Sequence, residues 1–264
     1  LEYQLAKNLP PDVVDYIIYA PNSSIKDFSV FTSLKAVLNL WAGVEDVVKN
    51  KTLQVPLARM VDEGLTQGMK EWVLGHVMRH HLGTDLHVFG QDGQWRDWSA
   101  PPLAKNRSVT VLGLGALGAQ CAKTLSKIGF KVSGWSQSKK LIENVICYYG
   151  SDGLKKSLKD AEIVVLLLPA TNETENIINQ KTINYLSNKA VIINPGRGPL
   201  IDEEALLKGI ENGKIGHATL DVFREEPLPE NHVFWAHPKI TVTPHIASET
   251  RPETASKVIA TNID

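Results

Sequence analysis

Three residues of the chain have the types and settings that chemistry at the edge of a sheet would need. Arg197 stands in Asn194-Pro195-Gly196-Arg197-Gly198, Glu226 in Asp221-Val222-Phe223-Arg224-Glu225-Glu226-Pro227, and His245 in Thr243-Pro244-His245-Ile246-Ala247-Ser248. Each follows a short apolar run that reads as a strand. An arginine offers a fixed fork of donors to an anion. A histidine exchanges protons near neutral pH, and a carboxylate beside it steadies its charged form. Taken singly, each has a plainer role: a surface ion pair, a solvated loop residue, a hydrogen bonder at a helix start. In a doubly wound sheet, ligands sit beyond the carboxyl ends of the strands, so three such ends in this order point to one reaction site. Glu225 beside Glu226 leaves a choice of register.

The element that must position these residues is Ser108 to Gly129. The apolar run Val109 to Leu112 leads into Gly113, Gly115 and Gly118, spaced G-x-G-x-x-G. Leu117, Cys121, Ala122, Leu125 and Ile128 then recur at helical steps, and Gly129 supplies the stop. Between a strand and a helix, such glycines let the backbone approach a pyrophosphate, and the first amides of the helix, at Ala116 and Leu117, face the anion. The second strand, Phe130 to Trp135, ends in Ser136-Gln137-Ser138-Lys139-Lys140, with no acid before Glu143. An NAD site usually carries an acid about 20 residues past the glycines for the ribose hydroxyls. Hydroxyls at Ser136 and Ser138 and a cation at Lys139 favour a 2′-phosphate instead, hence NADP(H), with NAD(H) still usable. At least one of the two lysines reads equally well as part of a solvated loop.

Six strands are expected from this point: Val109 to Leu112, Phe130 to Trp135, Ile163 to Leu168, Ala190 to Asn194, His217 to Phe223 and Ile240 to Thr243, joined by crossover helices. Helix 202–212 should start on Asp202 and stop at Gly213, and a last helix should open with Thr250 and Glu253 as a capping box. The pattern predicts an α/β chain: a Rossmann-type doubly wound parallel sheet over 66–246, and a smaller flavodoxin-like α/β domain over 1–65 completed by 247–264. In the smaller domain the reading is a helix at Leu1 to Leu9, a strand at Asp15 to Ala20, the end of a helix at Val30 to Leu34, and strands at Ala36 to Leu40 and Val55 to Met60. After Leu40 comes Trp41-Ala42-Gly43-Val44-Glu45-Asp46, a turn opening a helix, whose amides could face a small anion. Residues 67–83 read as a helix with Met69, Trp72, Val73 and Val77 on one face. His76 and His80 share that helix without the Glu of H-E-x-x-H or a third ligand, so no metal is expected. Gly90 to Pro102 reads as an exposed connector, where Trp95 and Trp98 fit either surface packing or the cover of a pocket.

With 264 residues and a net charge of −1, the chain can bury a large core and lacks the basic surface of a nucleic-acid binder. Cys121 and Cys147 make no disulfide framework, so a reducing cytoplasm is the expected setting. No apolar run is long enough for a membrane span, and the start is not a signal peptide. The chain opens on Leu1 and stops at Asp264 within a helical pattern, which leaves both ends open to continuation. His217, His232 and His237 read as structural.

The chain resembles the D-isomer-specific 2-hydroxyacid dehydrogenase family, and within it the glyoxylate and hydroxypyruvate reductases. The resemblance rests on V-I-I-N-P-G-R-G-P-L-I-D at 191–202, D-V-F-R-E-E-P-L at 221–228, T-P-H-I-A at 243–247 and L-L-P-A-T-N-E-T at 167–174, together with the glycine turn. It implies that Arg197 binds the 2-oxo acid, that His245 exchanges the proton, and that the acid before the proline, Glu226 rather than Glu225, holds the imidazole. Backbone amides at Ala42, Gly43 and Val44, beside Trp41, would hold the carboxylate. Leu168, Pro169, Thr174, Asn194, Pro195, Gly196 and Ala247 would line the cofactor, and Asp221 would contact the nicotinamide carboxamide. It further implies a homodimer packed about helix 67–82. Trp41 departs from a small residue common there, which would narrow the pocket toward two- and three-carbon acids or mark a subfamily, and Glu45 replaces a more usual Asp or Asn. The same fold also includes C-terminal-binding-protein corepressors, in which dinucleotide occupancy governs assembly, so a binding protein with little turnover is the alternative. A different Rossmann oxidoreductase would require the Arg, Glu and His matches to be accidental.

Overall fold

The computed structural model describes residues 9–263. The chain divides into two compact units, one of residues up to Gln67 with those from Glu249 onward, the other Gly68–Ser248. The helix expected at Leu1 to Leu9 falls, apart from Leu9, outside the described residues.

In the first unit, β1 (Tyr16–Tyr19), β2 (Ala36–Asn39) and β3 (Leu57–Ala58) form a parallel sheet in that order. Ile17, Tyr19, Val37, Phe28 and Val47 close its core. Two expected helices are absent. Residues 28–34 make successive turns, with Phe31 N bonded to Phe28 O and Leu34 N to Phe31 O, and 45–49 make turns as well. The first segment closes by i→i+3 bonds and the second by a single i→i+4 bond, Val48 N to Val44 O, and neither propagates into a helix. Helix α1 (Glu63–Leu82) begins on Asp62, whose carboxylate accepts from Gly64 N and Leu65 N.

The second unit holds a seven-stranded, all-parallel sheet. In chain order its elements are α2 (Thr84–Val88), β4 (Ser108–Leu112), α3 (Ala116–Ile128), β5 (Lys131–Ser136), β6 (Ile146–Tyr149), α4 (Gly150–Leu158), β7 (Ile163–Leu166), α5 (Gln180–Ile183), β8 (Ala190–Asn194), α6 (Glu203–Glu211), β9 (Ile215–Leu220) and β10 (Ile240–Val242). The order β10-β9-β8-β7-β4-β5-β6 reverses between β4 and β7, the switch point at which such sheets bind ligands. Continuous apolar strands such as Ile163–Leu166 are buried on both faces. Strand β6, around Cys147, adds a seventh strand to the six counted by pattern. The link from β9 to β10 contains no helix, so not every crossover is helical.

Met69, Val73 and Val77 of α1 pack into the core with Val109, Val111, Cys121, Ala122 and Leu125, so this apolar face is occupied within its own unit. Ile128, expected on the buried face of α3, is exposed because the helix ends there at Gly129 (φ 107°). Helix α6 starts as expected, with Asp202 accepting from Ala205 N at 3.0 Å. The last helix, α7 (Pro252–Ile263), does not use the expected capping box: the Thr250 hydroxyl donates to Leu40 O. That tertiary bond orients the hydroxyl, and the first turn of the helix closes instead through Thr254 N and Ala255 N on Arg251 O. Among the described residues no helix is long and apolar enough to cross a membrane.

Candidate active site

The carboxyl edge of the second unit's sheet is built from turns whose side chains are held by their own neighbours. At the end of β4, a Cβ on Gly113 (φ 105°) would lie 2.3 Å from Leu167 O, and one on Gly118 would lie 1.7 Å from Gly113 O. These two glycines are demanded by the chain itself. Gly115 differs: nothing lies within 4 Å of the position a Cβ would take. It is exposed, and Ala119 N makes the first i→i−4 bond of α3, to Gly115 O, leaving the amides of Ala116, Leu117 and Gly118 as first-turn donors. A turn that needs no glycine for its own packing, beside an uncovered helix start, fits a phosphate-bearing cofactor. At the end of β5, Ser136 is buried and its hydroxyl donates to Ser138 O at 2.7 Å, while Ser138, Lys139 and Lys140 are exposed.

Arg197 follows β8. Asn194 donates through Nδ2 to Arg197 O at 2.9 Å and accepts from Gly196 N through Oδ1 at 3.1 Å, so one buried amide braces the turn that carries the arginine. Gly198 is required because the chain passes against it: a Cβ there would sit 2.0 Å from the carbonyl carbon of Phe223. Leu168 and Thr174 are buried on the adjoining loop, where the Thr174 hydroxyl donates to Pro169 O at 2.6 Å. Pro195, Gly196 and Ala247 are buried backbone walls of the same edge.

His245 and Glu226, far apart in the chain, meet here: Nδ1 of the histidine lies 2.7 Å from Oε2 of the glutamate. The other glutamate oxygen accepts from Phe223 N at 2.8 Å. Burial opposes the ionised form of Glu226, but the bonds from His245 and Phe223 N and the charges of His245 and Arg197 prevail, so its carboxyl titrates below the ordinary value. The bond to Glu226 raises the pKa of His245, against desolvation and the charge of Arg197. Since an ionised carboxylate only accepts, Nδ1 carries the proton of this pair and Nε2 is left to exchange one with a ligand. Arg197 therefore acts electrostatically on both members.

Some groups were not marked by type and spacing. Arg224 ties two loops of this edge together, donating to Glu175 and Asn176 side chains and to Pro199 O and Ile201 O. Its place inside the Asp221–Pro227 stretch was the available signal. His76 and His80 have separate neighbours: the His76 ring packs against Trp72 at a tilt of 52°, and His80 Nε2 lies 2.8 Å from Thr219 Oγ1. Trp95 and Trp98 are exposed, at 90% and 76%. In the first unit, the Asn39 side chain donates to Trp41 O and Gly43 O, which fixes the turn by its carbonyls and leaves the amides of Ala42, Gly43 and Val44 without an acceptor among the described residues.

Comparison with known proteins adds the following. The family described as D-isomer specific 2-hydroxyacid dehydrogenase, NAD binding domain, matches residues 73–247. A glyoxylate/hydroxypyruvate reductase A of Serratia proteamaculans is 39% identical over 238 residues, covering 87% of this chain and 76% of the relative. Among solved structures, a D-isomer specific 2-hydroxyacid dehydrogenase from Xanthobacter autotrophicus in complex with NADPH and MES superposes with a TM-score of 0.91 at 39% identity, covering 97% of this chain and 81% of that one. An NADPH-dependent glyoxylate/hydroxypyruvate reductase from Sinorhizobium meliloti, in complex with NADP and sulfate, gives a TM-score of 0.85 at 35% identity, with coverages of 95% and 79%.

Proposed function

The chain belongs to the D-isomer specific 2-hydroxyacid dehydrogenase family and is an NAD(P)-dependent oxidoreductase, and from that premise we propose that it reduces glyoxylate to glycolate and hydroxypyruvate to D-glycerate, with NADPH preferred and His245 as general acid. The observation that carries this reading is the 2.7 Å Glu226–His245 pair on the same sheet edge as the glycine turn. NADPH, when bound, supplies the hydride. The amides of Ala116, Leu117 and Gly118 hold its pyrophosphate, and Ser136, Ser138 and Lys139 receive the 2′-phosphate. The solved relatives with NADPH and NADP support that preference.

Arg197 holds the carboxylate and carbonyl of the 2-oxo acid and favours negative charge developing on the carbonyl oxygen. His245 passes a proton from Nε2 to that oxygen while Glu226 stabilises the imidazolium before transfer and keeps its orientation. In the oxidation direction the same nitrogen takes the proton back. For the first unit we propose that the amides of Ala42, Gly43 and Val44 receive the substrate carboxylate, and that Trp41 limits substrate length. Among the described residues there is no group of three or more metal-ligating side chains, and the mechanism above uses none.

We further propose a homodimer in the cytoplasm. Exposed Phe89, Trp95, Trp98 and Leu103 follow α1 and support an interface there rather than on the helix face already in the core. The free thiols Cys121 and Cys147 support a reducing compartment. Sedimentation as a monomer at micromolar concentration would remove the dimer.

The test is initial rates with glyoxylate and with hydroxypyruvate, each with NADPH and NADH, for the wild type and His245→Ala. Turnover that prefers NADPH and collapses in the variant is expected. A preference for NADH would overturn the role of Ser136 to Lys139. Tight dinucleotide binding without turnover on either acid would favour another 2-oxo acid, then a dinucleotide-dependent binding protein.

A further inference from the structure

We infer that Asn39 is the positioning residue of the 41–44 turn: by holding the carbonyls of Trp41 and Gly43 against its own amide, it turns the N–H groups of Ala42 and Val44 to the opposite side, where they can meet a carboxylate. The inference rests on the proposed reading of that turn as the carboxylate site.

Asn39 is the last residue of β2 and is buried, at 1% exposure. Its Nδ2 donates to Trp41 O at 2.7 Å and to Gly43 O at 3.1 Å. A trans peptide is planar, with its C=O and N–H pointing opposite ways. Each carbonyl drawn toward Asn39 therefore directs the next N–H away from it: Trp41 O sets Ala42 N–H, and Gly43 O sets Val44 N–H. One side chain fixes the direction of two amides.

Packing alone does not call for this residue. The Trp41 carbonyl has a second donor, Met60 N at 3.2 Å, so Asn39 is not needed to satisfy it. Asn39 Oδ1, meanwhile, is buried with no donor among the described residues. Such an orphaned acceptor is a net cost that an apolar side chain of the same size would not carry. The amide cannot turn over to relieve it, since Oδ1 would then face two carbonyl oxygens. Asn194, equally buried at the corresponding end of β8, uses both ends of its amide, donating to Arg197 O and accepting from Gly196 N. That arrangement consumes a turn amide. Asn39 consumes none, and the N–H groups of Ala42, Gly43 and Val44 are all left for an anion.

The experiment compares the wild type with Asn39→Leu, which keeps the volume and removes the donors, and Asn39→Thr, which keeps one hydroxyl donor. KM and kcat for glyoxylate, the NADPH Kd and the urea midpoint are measured. Oxalate, a carboxylate with no aldehyde or ketone to reduce, is titrated into the NADPH complex while the amide NMR signals of Ala42 and Val44 are followed. Asn39→Leu should raise KM by about 10- to 100-fold, the range for hydrogen bonds to a charged group, with the NADPH Kd within about twofold. The loss in kcat should be smaller than the rise in KM, because the affected bonds are made to substrate and transition state alike. The two amide signals should lose their response to oxalate. Asn39→Thr should lie between, and if Asn39→Leu does not fold it decides alone, with KM raised by about 3- to 10-fold at a urea midpoint near that of the wild type.

A KM within about twofold of the wild type in the folded variants, with oxalate still moving Ala42 and Val44, would overturn the inference and leave Asn39 as a stabiliser of the fold. Wild-type amides that do not respond to oxalate would overturn the reading of the turn as the carboxylate site, and the inference with it. A wild type inactive on both acids would instead overturn the proposed reaction. The oxalate titration would still decide the role of Asn39 in that case.

Discussion

The adjacent strands β9 and β10 carry two histidine settings that differ in almost every physical respect. Along their length, His217 Nε2 lies 2.9 Å from Thr241 Oγ1, and His80 of α1 meets Thr219. Burial pushes the pKa of His80 down to about 3 and that of His217 to about 4, so both are neutral near pH 7. Just beyond the strand ends, His245 is half exposed, paired with Glu226 and shifted the opposite way. A hydroxyl partner does not repay the desolvation of an imidazolium, whereas a carboxylate does. The same residue type is therefore a packed neutral group on one stretch of the strands and, a few residues on, a carboxylate-paired group that the proposed mechanism uses as proton carrier.

Removing the proposed proton carrier should give the largest effect. His245→Ala should lower kcat for the 2-oxo acid by about 10²–10⁴-fold, the usual contribution of general acid catalysis, with little change in the urea midpoint. Steady-state rates at saturating NADPH check it, and a loss under about tenfold would end the distinction between the two settings. Glu226→Gln comes next. It keeps a hydrogen-bonding group but deletes the charge, so a loss of about 10- to 100-fold is expected, and the alkaline limb of the reductive pH profile should move to lower pH. For this pair the sign is that of a raised histidine pKa: reduction, and the small stability the pair contributes, are present below the unfolded value near 6.5 and fade as pH rises through the folded pKa.

The neutral histidines should behave in the opposite sense. Below about pH 6.5 the unfolded chain binds protons that folded His80 and His217 refuse, so each lowers stability by at most about 1.4 kcal/mol per pH unit until its own pKa is reached. Urea unfolding at pH 7 and pH 5 should show this loss, and His80→Gln should flatten the dependence. A stability unchanged over that range would mean these rings are charged, and the contrast with His245 would fail. The smallest effect is expected from Thr241→Val, which leaves His217 Nε2 without its partner. It should cost about 1–2 kcal/mol of stability, read from the urea midpoint, with glyoxylate reduction near wild type.

Much of the second unit was readable because its signals are local. Alternating apolar runs and glycine stops placed β4, α3 and β8 to within a residue or two, since strand burial and helix termination depend on near neighbours. The smaller unit was less readable: the helices expected near Val30 and after Gly43 are turns, because in short links tertiary packing rather than propensity decides whether a first helical turn grows. Thr250 shows the same limit, with capping spacing in the sequence and its hydroxyl oriented by a tertiary bond to Leu40 O.

By itself, then, the sequence determined which residues could do chemistry, since Arg197, Glu226 and His245 are identified by type and by the strand ends they follow. It also determined the glycine turn. The tertiary structure alone decided the distant partners: that Gly113 answers to Leu167 while Gly115 faces open space, that Glu226 meets His245, and that Asp221 gathers three donors from the turn of His245. The physical reason is range. Burial pattern and backbone preference are written in neighbouring residues, while a hydrogen bond between groups some 20 residues apart depends on where the sheet brings two strand ends.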